Sequence, residues 1–514
     1  MEGDDLAVQS LISSYRAGTR TPLSTAEAVA KQTAGFDSTF LQLEPATELQ
    51  TRCREIESAQ AEGAGALHGV PFAVKDNIDV AGRPTTAACP AFQYTPEAHA
   101  PCVQALLDQG AVFIGKTNMD QFAAGLVGTR SPYGTPPNAF DDRFVPGGSS
   151  SGSAAAVAAG LVSFALGTDT AGSGRVPAGL NGCVGIKPTL GTITTTGVVP
   201  AAASFDCVTV FARSVPDAAL AVKIMQGAGS LSDPRWRRPP PDLPSIPQPH
   251  FRFGVPSAEF LDFSGPRGSL AEAEYAKAMQ HAVDRLTRLG GQQVPVDFGP
   301  FLKVASLLYE SGLIAERYHG ILDFLTAGKG AASTPEAVAQ DDRLERVTAA
   351  ILANGAKCSG ADVYEGLTQL HNLKAVTRLE LDKVDILMVP TVLHHYTVAE
   401  IEQEEKGPAE VAWTQNAKQG RFTNFVNLLD MCGVSLPSSL VTLPPLSQLD
   451  KPEAGASAES LHLPFGVTLL APAWHDEALW KVAELYHKST GLGCGPNGHG
   501  VTPVHARLPS AAPA

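Results

Sequence analysis

Short apolar runs alternate along this chain with longer stretches whose apolar residues recur at helical spacing, the pattern of strands and helices interleaved in an α/β sheet. The run Gly69–Val80 (GVPFAVKDNIDV) predicts a buried strand carrying Lys75 near its end. A helix over Cys102–Gly110 and a second strand over Ala111–Gly115 (AVFIG) follow, and Val384–Thr391 (VDILMVPT) predicts another buried strand late in the chain. Upstream, Asp4–Arg16 and Ser24–Thr33 read as short helices, the second opening on a Ser24 cap with Glu27 three residues on. Thr334 before Pro335 and Glu336 marks a further helix start.

The proline-rich stretch Ser232–His250 (SDPRWRRPPPDLPSIPQPH) interrupts this pattern, which resumes at once in FRFGVPS. It therefore reads as a surface connection inside one domain spanning residues 1–490. Residues 491–514 are rich in Gly, Pro, Ala and His without periodicity and are expected to form a mobile tail. No internal repeat is present. At 514 residues, 44% hydrophobic and 18% charged, the composition is that of a globular protein with a sizeable core.

A net charge of −14 argues against a nucleic-acid-binding face, which needs a basic surface. It leaves small anions possible, because one buried arginine holds such a ligand locally. The eight cysteines are scattered, with no CxxC pair, as expected of reduced thiols in the cytoplasm. The acidic start MEGDDLAVQS is no signal peptide, and no apolar run reaches the ~20 residues of a membrane span, so no membrane association is expected.

Two motifs mislead. Gly110–Thr117 (GAVFIGKT) fits the phosphate-loop expression G-x-x-x-x-G-K-[ST], but its centre is a strand sequence rather than exposed, phosphate-wrapping backbone. His394 and His395 are adjacent and would point to opposite faces of a strand. They read as surface or loop histidines, and no metal site is expected.

Chemistry concentrates in Pro146–Pro177, PGGSSSGSAAAVAAGLVSFALGTDTAGSGRVP. In DTAGSGR (Asp169–Arg175), small residues around Ser173 allow successive backbone N–H groups to converge, as an oxyanion hole requires. A glycine turn has the same composition. A serine nucleophile needs a base, and no histidine lies in this region. A lysine serves if burial disfavours its ammonium form, and Lys75 ends an apolar strand, where it either stays inside or reaches out to water. GGSSSGS (Gly147–Ser153) offers hydroxyls that would relay a proton between the two.

Taken together, GVPFAVKDNIDV, GGSSSGS, DTAGSGRVP and GCVGIKPT (Gly182–Thr189) resemble the amidase signature family, most closely over residues 65–215. The resemblance implies an α/β fold whose mixed central sheet is covered by helices on both faces. It also implies a Ser–cis-Ser–Lys triad without cofactor, in which Ser173 matches the nucleophile, Ser149 the bridging cis-serine and Lys75 the base. Thr170, Ala171, Gly172 and Ser173 match the oxyanion-hole positions, while Ser151 stands where many members carry glycine.

Lys116–Asn138, Leu308–Tyr318 and Gly420–Pro437 are further similar to allophanate hydrolases. That likeness implies a small anionic amide substrate, with Tyr309 and Arg317 on its carboxylate and Gly125 making a backbone contact. If both side chains lie on one helix, eight residues bring them to the same face. The family's second, C-terminal domain is not found in this sequence. Hydrolysis of a related ureide such as a biuret derivative, or of glutamine as in the A-type component of an amidotransferase, remains open on the triad alone, and the family resemblance implies a homodimer.

Overall fold

The computed structural model describes residues 6–59, 65–229, 233–327, 334–407, 413–445 and 460–502. Among the described residues, eleven strands form one mixed sheet: β1 (Phe40–Leu43), β2 (Pro71–Lys75), β3 (Val112–Thr117), β4 (Phe164–Asp169), β5 (Val184–Lys187), β6 (Cys207–Ala212), β7 (Phe251–Gly254), β8 (Gly291–Gln293), β9 (Ile386–Pro390), β10 (Met431–Leu443) and β11 (Leu461–Pro472). Their order is β1-β3-β2-β4-β6-β5-β10-β11-β9-β7-β8. Strand β2 runs parallel to both β3 and β4, whereas β10 is antiparallel to β5 and β11.

Strand side chains alternate between faces, and here both faces are buried. On β2 and β4, Phe72, Val74, Phe164 and Leu166 pack with Val103, Leu106, Val222 and Met225. Ala73 and Ala165 turn the other way, toward Ala26, Val29, Ala154 and Val157. Helices therefore cover both sides, as the sequence led us to expect, and the Phe72 and Phe164 rings stack across the pair at 5.4 Å. This burial explains why these strands read as continuous apolar runs rather than alternating ones.

Several local expectations shift. Strand β2 ends at Lys75, and the chain then turns into an isolated bridge between Ile78 and Val198. The second helix starts at Pro22, capped by Thr21 rather than Ser24. Thr21 Oγ1 accepts from the Ser24 N–H while Ser24 Oγ accepts from the Thr21 N–H, because proline at the first helical position fixes the start one turn earlier. The segment GKT of the phosphate-loop lookalike lies inside β3, and the buried Lys116 donates to Ile78 O at 2.5 Å and Thr85 Oγ1 at 3.2 Å.

His394 and His395 are not surface residues; both are buried. His395 Nδ1 lies 2.8 Å from Tyr275 Oη, and burial lowers their pKa values to about 4 and about 3, respectively.

Residues 233–250 contain neither helix nor strand and lead from one helix into β7, which joins the same sheet; Ser232 lies outside the described residues. The expected mobile tail is anchored at its start: the Gly495 N–H bonds Gly182 O at 2.8 Å, Cys494 is buried, and the His499 ring meets Phe140 at 5.2 Å. Residues 503–514 lie outside the described residues. No described helix is long and apolar enough to cross a membrane.

One distant contact ties the last long helix to the loop that follows β5. Asp476 accepts from the Thr189 N–H at 2.8 Å and from Thr189 Oγ1 at 2.5 Å, all buried. Asp476→Ala leaves both donors unpaired and is expected to cost about 1–3 kcal/mol of stability, read as a lower urea midpoint by circular dichroism.

Candidate functional site

Parallel pairing of β2 with β4 sets Lys75 beside the end of β4, from which the Asp169–Arg175 loop departs. Lys75 has no exposed surface. Its Nζ lies 2.8 Å from Ser149 Oγ and 2.8 Å from Thr168 Oγ1, and Asn77 Nδ2 donates to the same threonine at 3.2 Å. Burial lowers the lysine pKa to about 7, against the opposing pull of the Asp120, Asp169 and Asp206 carboxylates. Lys75 thus points inward, and the alternative of a solvent-reaching side chain is excluded.

Ser149 follows a cis peptide bond from Gly148. Asp120 braces this loop: its N–H donates to Ser149 O at 3.0 Å, and its carboxylate accepts from the N–H groups of Gly128 and Arg130. A Cβ on Gly148 would collide with that carboxylate. The other serines of the cluster are structural. Ser150 Oγ donates to Thr168 O at 3.1 Å and Ser153 Oγ to Leu166 O at 2.9 Å, while Ser151 opens a fully buried helix, Ser151–Ala158.

Ser173 sits almost fully buried in the loop after β4. The loop is wound around Asp169, whose carboxylate accepts from the N–H groups of Gly172 (2.9 Å) and Gly174 (3.0 Å) and pairs with Arg175 at 2.8 Å. This corrects one expectation: the Gly172 N–H is already committed and is not free to hold an oxyanion. The N–H groups of Thr170, Ala171 and Ser173 keep no protein acceptor among the described residues.

Three side-chain partners of this loop went unnoticed in the sequence. Thr170 Oγ1 donates to Asp206 Oδ1 at 2.5 Å. Thr423 Oγ1 donates to Ala171 O at 2.7 Å, and Asn427 Nδ2 bridges Asp169 O (2.8 Å) and Phe205 O (2.9 Å). Arg175 reaches back to Thr423 O and Asn427 Oδ1, both at 3.1 Å. The signal for Thr423 and Asn427 lay in Gly420–Pro437, a stretch singled out only for its likeness to other sequences.

Tyr309 and Arg317 do meet, but not on one helix. The helix Gly299–Glu310 breaks at Ser311, and Arg317 belongs to the separate helix Ala315–Gly320. The break folds the arginine back so that Nη2 donates to Tyr309 Oη at 3.0 Å and the guanidinium lies 5.1 Å from that ring. Arg317 is buried, Nη1 reaches Ala123 O at 3.4 Å, and Nε has no partner. Its charge also lowers the Lys75 pKa. Gly125 lies against Asp120 and Arg130, and the Asp120 carboxylate fills the space that a Cβ would take. The neighbouring turns hold Ala87, Ala88, Phe122 and Ala123 in left-handed backbone (φ 49° to 55°), a conformation costing ~1–3 kcal/mol each and concentrated at functional sites.

Residues 19–480 match the model of the Amidase family, and the chain belongs to that family. Among its relatives, the urea amidolyase of Lachancea kluyveri is 39% identical over 459 residues, 89% of this chain and 23% of that one. The crystal structure of Kluyveromyces lactis allophanate hydrolase superposes with a TM-score of 0.79 at 36% identity, covering 94% of this chain and 72% of that one. The A-type component of the glutamyl-tRNA(Gln) amidotransferase of Chlorobium luteolum is 42% identical over 226 residues, 43% of this chain and 47% of that one. The chain thus spans about a quarter of the length of the urea amidolyases it matches.

The Ala171–Ser173 turn tolerates no side chain at its centre. Gly172 has φ 130°, and a Cβ there would collide with the Thr423 side chain. Gly172→Ala is expected to lose roughly 2–5 kcal/mol from overpacking and backbone strain, measured by urea denaturation. Truncating Thr423 to glycine in the same chain should recover the packing part only.

Proposed function

We propose that this chain is an amide hydrolase with a Ser–cis-Ser–Lys triad whose substrate is allophanate, the carboxylate of urea. The observation that carries the reading is the desolvated Lys75 amine, hydrogen-bonded to Ser149, together with a buried arginine, Arg317, that retains an unpartnered donor. Lys75 is the base, Ser149 the relay and Ser173 the nucleophile. Neutral Lys75 takes the Ser149 proton as Ser149 takes that of Ser173, and Ser173 Oγ attacks the terminal amide carbon. The N–H groups of Thr170, Ala171 and Ser173 hold the developing oxyanion. The proton passes to the leaving nitrogen, ammonia departs, and water attacks the acyl-serine by the same relay to release N-carboxycarbamate. No cofactor or metal is needed for these steps.

Arg317 and Tyr309 grip the substrate carboxylate, with Gly125 supplying a backbone contact. The likeness to urea amidolyase and allophanate hydrolase supports this substrate over glutamine. The similarity to the A-type components of amidotransferases keeps glutamine hydrolysis as the second reading, with a biuret derivative as a closer variant of the first. The single sheet that runs through both halves supports one amidase domain up to about residue 490. We place the enzyme in the cytoplasm, where its unpaired cysteines stay reduced, and infer a homodimer from the family resemblance.

Ammonia release from allophanate, biuret, glutamine, malonamate and simple aliphatic amides tests the assignment, with allophanate expected to give the highest kcat/KM. Preference for glutamine would replace it. A lysine pKa of about 7 means that the base is charged and idle below that pH and neutral above it. The logarithm of kcat/KM should therefore climb with unit slope below about pH 7 and level off above it, and Lys75→Ala and Ser173→Ala should abolish turnover in folded protein. Arg317→Ala should raise KM for allophanate by roughly 10–100-fold, the worth of a charged hydrogen-bonded contact; an unchanged KM rejects the carboxylate grip.

A further inference from the structure

A chamber of about 430 Å³ opens beside the site, and three of its wall residues each lead to a different part of it. Tyr309 is the partner of Arg317. Asn416 Oδ1 accepts from the Leu126 N–H at 2.7 Å, next to Gly125. Asn424, with its amide oriented to satisfy both neighbours, donates to Ala171 O at 2.8 Å on the nucleophile loop. The chamber is thus the space directly outside Tyr309 and the Ser173 turn. Its lining also holds two cations, Lys418 and Arg421, against one carboxylate, Glu310. Arg421 is tethered through Nε to Phe260 O at 3.3 Å, whereas Lys418 is exposed on the helix Thr414–Gln419.

The placement matters because the molecule as a whole carries 52 acidic against 38 basic side chains. A small anion approaching it meets an unfavourable average field, and local cations at an opening are what reverse that field over a Debye length. Allophanate would fill only a fraction of the chamber, so the lining cannot select it by fit; charge is the property left to act on. We propose that this chamber is the approach path of the anionic substrate and that Lys418 is a specificity-determining residue, drawing a carboxylate inward to Arg317 without touching the reacting atoms. The inference rests on the anionic-substrate reading above.

The test measures kcat and KM of the full chain with allophanate for wild type, Lys418→Arg, Lys418→Gln and Lys418→Glu, from low ionic strength to about 0.5 M salt. Reversing the charge should lower kcat/KM roughly three- to fivefold at low salt while leaving kcat unchanged. Gln should fall in between, Arg should match wild type, and all four should converge at high salt. Biuret, which has the same shape without the charge, should show no dependence on residue 418 wherever its turnover is measurable. Equal kcat/KM across the series at low salt, a difference that persists at high salt, or a loss confined to kcat would overturn the steering role alone. A wild-type enzyme that hydrolyses neutral amides but no anionic one would overturn both this inference and the proposed substrate.

Discussion

An ammonium group enclosed at the end of a buried strand needs an anion in contact with it, and Lys75 has hydroxyls instead. That mismatch favours the neutral amine. It persists only because the three carboxylates close enough to influence the lysine are each engaged elsewhere. Asp169 is paired with Arg175, Asp120 is bound by the amides of Gly128 and Arg130, and Asp206 is bound by Thr170, Ala201 and Ala202. Every one of these satisfied acids also shapes a loop of the site. The proposed base is therefore tuned by the same bonds that hold its neighbours in position, and the two properties are not separable in this fold.

The loop bearing Ser173 shows how such economy works. Asp169 fixes it from inside through the amides of Gly172 and Gly174, while Thr423 and Asn427 fix it from outside through its carbonyls. With the Gly172 and Gly174 amides spoken for, those of Thr170, Ala171 and Ser173 keep no protein acceptor among the described residues. A glycine at position 172 is needed twice over, for its backbone angle and for the room that Thr423 fills.

Much of this was legible from the chain because the motifs are local. Lys75 at a strand end, Ser149 in its glycine cluster and Ser173 in its small-residue loop each sit in a contiguous signature, and the apolar runs around them fall on β2, β3, β4 and β9. What escaped was whatever depends on contacts distant in sequence. Thr168 and Asp206 look ordinary until the strands pair, and Asn427 bonds Asp169 across 258 positions. The buried histidines were misplaced for a related reason: adjacency suggested a loop, whereas packing of Tyr275 and Phe144 against His395 and of Tyr275 and Tyr396 against His394 encloses them. Tyr309 and Arg317 were joined for the wrong geometric reason, since a broken helix, not a continuous one, closes their contact.

The long strand β10 lies between β5 and β11, so the last third of the chain is inserted at the centre of the sheet rather than added at its rim. Lys75, Ser149 and Ser173 all precede it, yet the loop bearing Ser173 acquires Thr423 and Asn427 only from the segment that leads into β10. During synthesis from the N-terminus, the nascent polypeptide holds all three of these side chains for hundreds of residues before their scaffold exists. Until then the Arg175 guanidinium lacks two of its acceptors and the sheet has an open edge where β10 belongs. Competence for the proposed chemistry thus arrives late on the ribosome, with the residues that close the sheet, and not with the residues proposed to carry it out.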